Sequence, residues 1–278
     1  MIESNFNSLY PIIISIPHSG ANYSKSFLNS TKLSFNELKF SEDSYVDQLL
    51  SDVLNKKFTY IKTNFPRSYV DVNRHPFEID PFMISSKIPN FINSNTSKTK
   101  SGIGVIPRVS IYGNDIYNHL LTRREVIGRL LLCYFPYYKK LKYLIRCLKK
   151  KYNNILVLDF HSMPSKSTDN EIDIIIGNNY NQSCNRDFTS LIKYNFNLFN
   201  YSLEENNPYP GGYLTKSLGN PKNGINVIQI EINRSLYMDE KSLIKNINNM
   251  NILSENLYLI IQNIFKDIMK FNLNYIFL

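Results

Sequence analysis

Two apolar runs of this chain end in the same way, with a histidine just after a stretch rich in isoleucine, leucine and valine. The first is "IIISIPHSG", residues 12–20, and the second is "ILVLDFHSM", residues 155–163. Short β-branched runs that stop at Pro or Gly are typical of buried strands. Burial of an imidazole or an aspartate is costly unless the group finds a partner. We therefore expect both strand ends to belong to a functional site.

The remaining sequence alternates apolar runs with segments of helical spacing. Strands are predicted at 58–65, 154–160, 171–176 and 225–232, and helices near 41–54, 116–152, 186–198 and 239–271. This alternation indicates an α/β domain with a mostly parallel central sheet. No repeat, low-complexity linker or Pro/Gly-rich break divides the sequence, so we expect a single domain over residues 1–278. Residues 76–116 show little periodicity and are predicted to form a long surface excursion.

Composition excludes several classes of protein. With 43% hydrophobic residues the chain can build a core, which excludes a disordered protein. The longest apolar run is far shorter than the roughly 18 residues that span a bilayer, and the first residues lack a basic leader with a cleavage site. We therefore expect a soluble, cytoplasmic protein. Three cysteines without a CxxC pair agree with a reducing compartment and indicate no thiolate metal site.

The formal net charge of +9 leaves the partner open. Such a charge suits nucleic acid, an anionic small molecule or simple solubility. The densest lysine cluster, "YYKKLKYLIRCLKKKYNN" at 137–154, carries apolar residues at near-helical spacing. We interpret this cluster as the solvated face of a helix, with an RNA-binding stripe as the alternative.

The two strand-end histidines, His18 and His161, are predicted to converge. In a parallel sheet both would lie at the carboxyl edge, where ligands bind. Catalytic zinc takes three protein ligands and one water, and neutral imidazole is a common ligand. Asp43 and Glu42 are the nearest carboxylates in sequence; an acid pair that stabilises a helix N-terminus is an equal alternative. Asp159, two residues before His161 on one strand face, is a candidate to orient that imidazole.

A third apolar strand, "INVIQIEINRSLYMDE" from residue 225, places a carboxylate among isoleucines. Alternation puts Gln229, Glu231 and Asn233 on one face. Desolvation would raise the proton affinity of Glu231 and suit it to act as the general base for a metal-bound water. The alternative is a structural salt bridge from Glu231 to Arg234 or Arg74.

Two loops offer groups that would bind a substrate. The segment "PRSYVDVNRHP", residues 66–76, supplies Arg67, Asp71, Asn73 and Arg74. Guanidinium groups bind carboxylates in a bidentate manner, so these arginines suggest an anionic substrate; exposed arginines without a role are the alternative. The segment "NNPYPGGYLT", residues 206–215, contains a glycine pair ending at Gly212 that would let the backbone approach a ligand, or simply form a turn.

Seven segments in this order resemble the N-formylglutamate amidohydrolase (formylglutamate deformylase) family over roughly residues 10–270. They are "IPHSG", "SEDSYVDQL", "PRSYVDVNR", "GIGVIPRV", "LDFHSMP", "NPYPGGYLT" and "VIQIEINRSLYMDE". The resemblance implies a three-layer α/β/α domain, related in fold to zinc carboxypeptidases, with a mixed sheet around one metal ion.

The resemblance also implies roles for individual residues. It implies one zinc or other divalent cation held by His18, Asp43 and His161, with Glu231 as the general base. It implies that Asn73 and Arg74 bind a substrate carboxylate, with Arg67 and Arg108 as candidates for a second carboxylate. Family members often have a histidine where this chain has Tyr138. If that histidine binds the substrate or assists catalysis, this chain would differ from the family in substrate specificity.

The predicted function is therefore hydrolysis of the linear C–N amide bond of N-formyl-L-glutamate, or of a similar N-acyl amino acid, to release formate and the amino acid. The expected partner is this small anionic substrate, with neither a membrane nor nucleic acid, and no oligomeric state is predicted. One alternative is a carboxypeptidase-like peptidase. Another is a catalytically inactive basic protein of this fold that binds RNA or anions.

Overall fold

The structure is a computed structural model that describes residues 1–55, 58–86, 92, 94–168 and 171–273. The described chain forms two compact units that interleave in sequence. The first comprises Met1–Glu3, Pro17–Ser44 and Lys62–Lys140. The second comprises Ser4–Ile16, Tyr45–Ile61 and the described residues from Leu141 onward. A single domain over residues 1–278 stays a prediction.

A seven-stranded mixed sheet is the principal β-structure. Its strands are β1 (Ile2–Asn5), β2 (Ile12–Ile16), β3 (Thr59–Thr63), β4 (Ile155–Met163), β5 (Ile174–Gly177), β6 (Leu203–Glu205) and β7 (Ile225–Asn233), in the order β1-β3-β2-β4-β7-β5-β6. Strand β4 runs parallel to both β2 and β7, whereas β5 is antiparallel to β7 and parallel to β6. A small antiparallel pair, β8 (Met238–Asp239) and β9 (Ile244–Lys245), follows.

The central strands are buried along their full length. All nine residues of β4 and all five of β2 are buried, and so are the last eight of β7. Strands covered on both faces read as continuous apolar runs, which is how these segments appear in the sequence. Helices flank this mixed sheet, which confirms the predicted α/β fold class.

Helices occupy most of the remaining described chain. They are α1 (Lys25–Asn29), α2 (Phe35–Lys39), α3 (Val46–Leu49), α4 (Ser51–Asn55), α5 (Ser97–Lys100), α6 (Arg123–Arg129), α7 (Phe135–Lys149), α8 (Arg186–Asn197), α9 (Tyr213–Leu218) and α10 (Ile247–Leu273). In the second unit α10 packs against α3, α4 and α8. Of the helices in the described residues, none is both long and apolar enough to cross a bilayer.

Three predicted helices begin later in the structure, each for a local reason. The helix predicted from residue 41 begins at Val46, because Tyr45 has a positive φ of 67°. The helix predicted from residue 116 begins at Arg123, where Thr122 and Glu125 form a capping box. The helix predicted from residue 239 begins at Ile247, because β8 and β9 form the preceding segment.

The predicted surface excursion at 76–116 is partly wrong. Val105 and Ile106 are fully buried. The N–H of Val105 donates to the carbonyl of Glu78, and its carbonyl accepts from the N–H of Asp71. A side chain at Gly104 would meet that same Glu78 carbonyl at 2.2 Å, so glycine permits this close approach. Residues 87–91 and 93 of the segment lie outside the described residues.

We predict that Ile228→Ala lowers the free energy of unfolding by about 2–5 kcal/mol, because it leaves a cavity in a fully buried strand. The measurement is the urea-denaturation midpoint. The matched control is Ile252→Ala, at a position of α10 that is 53% exposed, with an expected change within about 0.5 kcal/mol. Equal losses at the two positions would contradict the assignment of β7 to the core.

Candidate active site

His18, Asp43 and His161 are buried and come together. One ligand atom from each lies within 4.8 Å of the others, a grouping that could hold a metal ion. Nδ1 of His18 lies 3.3 Å from Oδ2 of Asp43. Bonds of about 2.0–2.1 Å in a tetrahedral site put neighbouring ligand atoms roughly 3.3 Å apart, so the spacing of this one pair is that of two ligands of a shared zinc-sized cation. The donor set, two imidazoles and a carboxylate, also suits zinc.

Asp43, rather than Glu42, is the carboxylate in this group. The main-chain N–H of Asp43 donates to the carbonyl of His18, which joins the two loops. Glu42 instead accepts a hydrogen bond from the hydroxyl of Tyr23. Burial and then the neighbouring carboxylate raise the pKa of Tyr23, which keeps this phenol protonated. Both acids precede the first residue of α3, so the alternative of a helix N-terminal acid pair is wrong.

Each of the two imidazoles is held by its own buried carboxylate. Nε2 of His18 lies 2.7 Å from Oδ1 of Asp71, and Nε2 of His161 lies 2.9 Å from Oδ2 of Asp159. The other oxygen of Asp159 accepts from the hydroxyl of Ser15 at 2.6 Å. A carboxylate partner on one ring nitrogen orients the other nitrogen, here Nδ1, toward a cation. The predicted role of Asp159 agrees with this contact, although His161 lies inside β4 and not after it.

Asp71 joins the imidazole of His18 to two arginines. Its Oδ1 also accepts from the N–H of Asn73 at 2.8 Å, and its Oδ2 accepts from Nε of Arg67 at 2.9 Å. Nε of Arg74 lies 3.8 Å from the same Oδ2. Burial alone would raise the pKa of Asp71, but the neighbouring His18 ring and the charges of Arg74 and Arg67 hold it well below its usual value. Asp71 is therefore ionised in the structure, a role that the sequence analysis missed.

The predicted substrate-binding arginines differ in their surroundings. Arg74 donates to the carbonyls of Ile103 and Asn73, which orients its guanidinium. Arg108 already pairs with two carboxylates, at 2.7 Å from Asp80 and 2.6 Å from Asp115. Those ion pairs give Arg108 a structural function in the fold. Binding of a substrate by any of these arginines stays a prediction.

Lys98 lies close enough to Arg67 and Arg74 for their charges to affect it. The pKa of Lys98, on α5, is lowered by partial burial and then by the charges of Arg74 and Arg67. Burial disfavours the charged form of a lysine, and nearby positive charges act in the same direction. The side chains of Arg67, Arg74 and Lys98 therefore bring three basic groups near one another, a grouping that would suit an anionic ligand.

Two stacked tyrosines support the main chain on either side of Asn73. The hydroxyl of Tyr138 donates to the carbonyl of Val72 at 3.1 Å, and that of Tyr134 donates to the carbonyl of Arg74 at 2.8 Å. Their rings stack with centroids 4.8 Å apart. Tyr134 ends a π-helical turn, Leu130–Tyr134, that joins α6 to α7; such turns frequently occur at functional sites. The sequence analysis noted Tyr138 but missed Tyr134.

Glu231 lies directly across from His161. In the register of β4 and β7, His161 is opposite Glu231 and Asp159 is opposite Gln229, so the four side chains share one face of the sheet. Nε2 of Gln229 donates to Oε1 of Glu231 at 2.6 Å. Arg234, the alternative salt-bridge partner, donates from Nε to the hydroxyl of Ser162 at 3.0 Å.

Gly212 contributes its main-chain N–H to this network. That N–H donates to Oε1 of Gln229 at 2.8 Å. Gly212 also precedes the first residue of α9, with extended backbone geometry. A direct contact of Gly212 with a substrate stays a prediction.

The fold and the site define an α/β protein with a buried His–Asp–His group that could hold a metal ion. The sequence pattern of N-formylglutamate amidohydrolases matches residues 10–238, and the chain belongs to this family, as the sequence resemblance predicted. The chain is similar to the N-formylglutamate amidohydrolase from Ralstonia eutropha JMP134, with 27% identity, a TM-score of 0.89, and coverage of 97% of this chain and 98% of that one.

A second solved structure shares the fold. It is the gene product Atu2144 from Agrobacterium tumefaciens, at 17% identity and a TM-score of 0.66, with 96% of each chain covered. At this identity the likeness extends to the fold alone. None of the curated proteins matches the chain.

We predict that Asp71→Asn weakens divalent metal binding about 10–100-fold, the usual effect of losing the carboxylate behind a histidine ligand. The measurement is zinc affinity by competition with a chelator. Asp52→Asn, at an exposed position of α4, is the matched control and should bind zinc as the unmodified protein does. Unchanged affinity in Asp71→Asn would show that this carboxylate does not support a metal ligand.

Proposed function

We propose that the protein is a metal-dependent amidohydrolase that cleaves the linear C–N amide bond of N-formyl-L-glutamate or a similar N-acyl amino acid. The observation that carries the proposal is the buried His18–Asp43–His161 group, with Glu231 directly across from His161. Membership of the N-formylglutamate amidohydrolase family supports the reaction class. The products would be formate and the free amino acid.

Within this proposal His18, Asp43 and His161 hold one divalent cation, for which zinc is the best fit to the donors. A cation so held would supply Lewis acidity at the acyl group and would lower the pKa of the attacking water. Asp71 and Asp159 keep the two imidazoles in the tautomer that presents a lone pair.

Glu231 is the proposed general base and acid. Its carboxylate takes a proton from the attacking water as the water oxygen bonds to the acyl carbon. The C–N bond then breaks, and Glu231 returns the proton to the departing amine nitrogen. The raised proton affinity expected for this carboxylate stays a prediction.

Arg74 and Asn73 are proposed to bind the carboxylate of the amino acid, which fixes the scissile bond in position. N-formylglutamate has a second carboxylate, for which Arg67 is the candidate. Arg108 is a weaker candidate because it is paired with Asp80 and Asp115. A net charge of +9 would favour the approach of such an anion.

The alternative of an inactive RNA-binding or anion-binding protein is less well supported, because it provides no reason for the buried His–Asp–His group. The carboxypeptidase-like alternative differs only in the amide substrate. A cytoplasmic location and the absence of nucleic acid and membrane partners stay predictions.

We predict that the purified protein contains about one zinc ion and releases formate from N-formyl-L-glutamate. His161→Ala should lose both zinc and activity, because a ligand is removed. Glu231→Gln should keep zinc but lower kcat about 10²–10⁴-fold, the usual contribution of a general base. Metal content by mass spectrometry and formate by an enzyme-coupled assay check these outcomes. Full activity in Glu231→Gln, or in protein stripped of metal, would contradict the mechanism.

We predict that Arg74→Met lowers kcat/KM for N-formyl-L-glutamate about 10–100-fold, since a hydrogen bond to a charged group contributes about 1.5–3 kcal/mol. Methionine keeps much of the apolar stem and removes the charge. The matched control is Arg146→Met at an exposed position of α7, which should leave kcat/KM unchanged. Equal kcat/KM values for the two variants would exclude Arg74 as the carboxylate anchor.

A further inference from the structure

One buried amide connects the glycine loop to the proposed general base. Gln229 is 5% exposed and lies on β7. Its Oε1 accepts from the N–H of Gly212 at 2.8 Å, and its Nε2 donates to Oε1 of Glu231 at 2.6 Å. The two ends of one amide group therefore bind two different parts of the site.

The chemistry of the two partners fixes the direction of this amide. A main-chain N–H can only donate, and an ionised carboxylate can only accept. A side chain between them must offer one acceptor and one donor, which a glutamine amide does. Glutamate at residue 229 would bind Gly212 but would face Glu231 with a second negative charge. Methionine, of similar length, would bind neither partner.

The loop that contains Gly212 lies directly on the sheet at this point. Gly177 of β5 is opposite Gln229 in the register. A side chain at Gly177 would meet the carbonyl of Tyr209 at 2.6 Å and the amide nitrogen of Gly211 at 2.7 Å. The N–H of Asn179 also donates to the carbonyl of Pro210 at 2.7 Å. The loop is thus held at several main-chain groups, and Gln229 connects its last part to Glu231.

We infer that Gln229 is a positioning residue that orients the carboxylate of Glu231 and fixes it relative to Gly212. This inference rests on the proposed role of Glu231 as general base. It assigns the two oxygens of Glu231 different tasks. Oε1 accepts the hydrogen bond from Gln229, and Oε2 takes the proton from water and returns it to the amine nitrogen.

The test compares Gln229→Met and Gln229→Glu with Asn226→Leu. Asn226 is a matched control because it is a buried amide on the same strand that also joins two elements, donating to Ile155 and accepting from Asn185. Alternation places it on the opposite face from Glu231. Gln229→Met should lower kcat about 10–100-fold, as small misplacements of catalytic groups do, with KM within about threefold and zinc content unchanged. Asn226→Leu should leave kcat unchanged.

Hydrogen exchange of the amides in residues 207–213 separates the two contacts of Gln229. Gln229→Met should accelerate exchange in this segment, whereas Gln229→Glu should preserve slow exchange and still lower kcat. Gln229→Glu also keeps the inference testable where Gln229→Met does not fold. A kcat within twofold of the unmodified protein in both Gln229 variants would overturn the inference.

The failure of the proposed function is a separate outcome. Unmodified protein with bound zinc that releases no formate would overturn the proposed activity. In that case the positioning role of Gln229 is tested by the crystal structure of a folded Gln229 variant, which requires no activity measurement. A displaced Glu231 carboxylate would support the inference, and an unchanged Glu231 carboxylate would refute it.

Discussion

The pairing of each buried imidazole with a buried carboxylate is the interaction on which the site depends. His18 and His161 lie among apolar strands, where an unpartnered ring would be costly. Asp71 and Asp159 each lie against Nε2 of one ring. A proton held on Nε2 leaves a lone pair on Nδ1. The same carboxylates thus allow the rings to be buried and leave one nitrogen of each ring that could bind a cation.

Asp71 extends this constraint from His18 to the arginines. Two guanidinium groups close together repel each other, and the shared carboxylate of Asp71 offsets that repulsion. Arg67 and Arg74 can therefore lie close together beside Oδ2 of Asp71. Burial is the largest cause of the lowered pKa of Lys98, and the positive charges of Arg74 and Arg67 lower it further. The support of His18 and the proposed binding of an anionic substrate therefore depend on one carboxylate.

Local sequence patterns predicted the central strands, but they could not predict contacts between residues that are distant in the sequence. The apolar runs of β2, β4 and β7 identify buried strands by composition alone. The polar residues after Phe160 suggested that β4 ends there, but His161 and Ser162 continue to pair with Glu231 and Ile232 of β7. Alternation likewise put Gln229 on the face of Glu231, yet its contact with Gly212 depends on how the loop folds. Asp71 and His18 are 53 positions apart in sequence, and no local spacing relates them.

Tyr138 illustrates how such a distant contact changes the interpretation of a residue. In the sequence, Tyr138 replaces a histidine that is frequent in the family, which suggests a different substrate specificity. In the structure its hydroxyl donates to the carbonyl of Val72, while Tyr134 donates to that of Arg74. Both hydrogen bonds act on the main chain that carries Asn73 and Arg74. The tyrosine can therefore affect specificity through the position of the proposed carboxylate anchor, because a shift of that main chain moves the guanidinium with it.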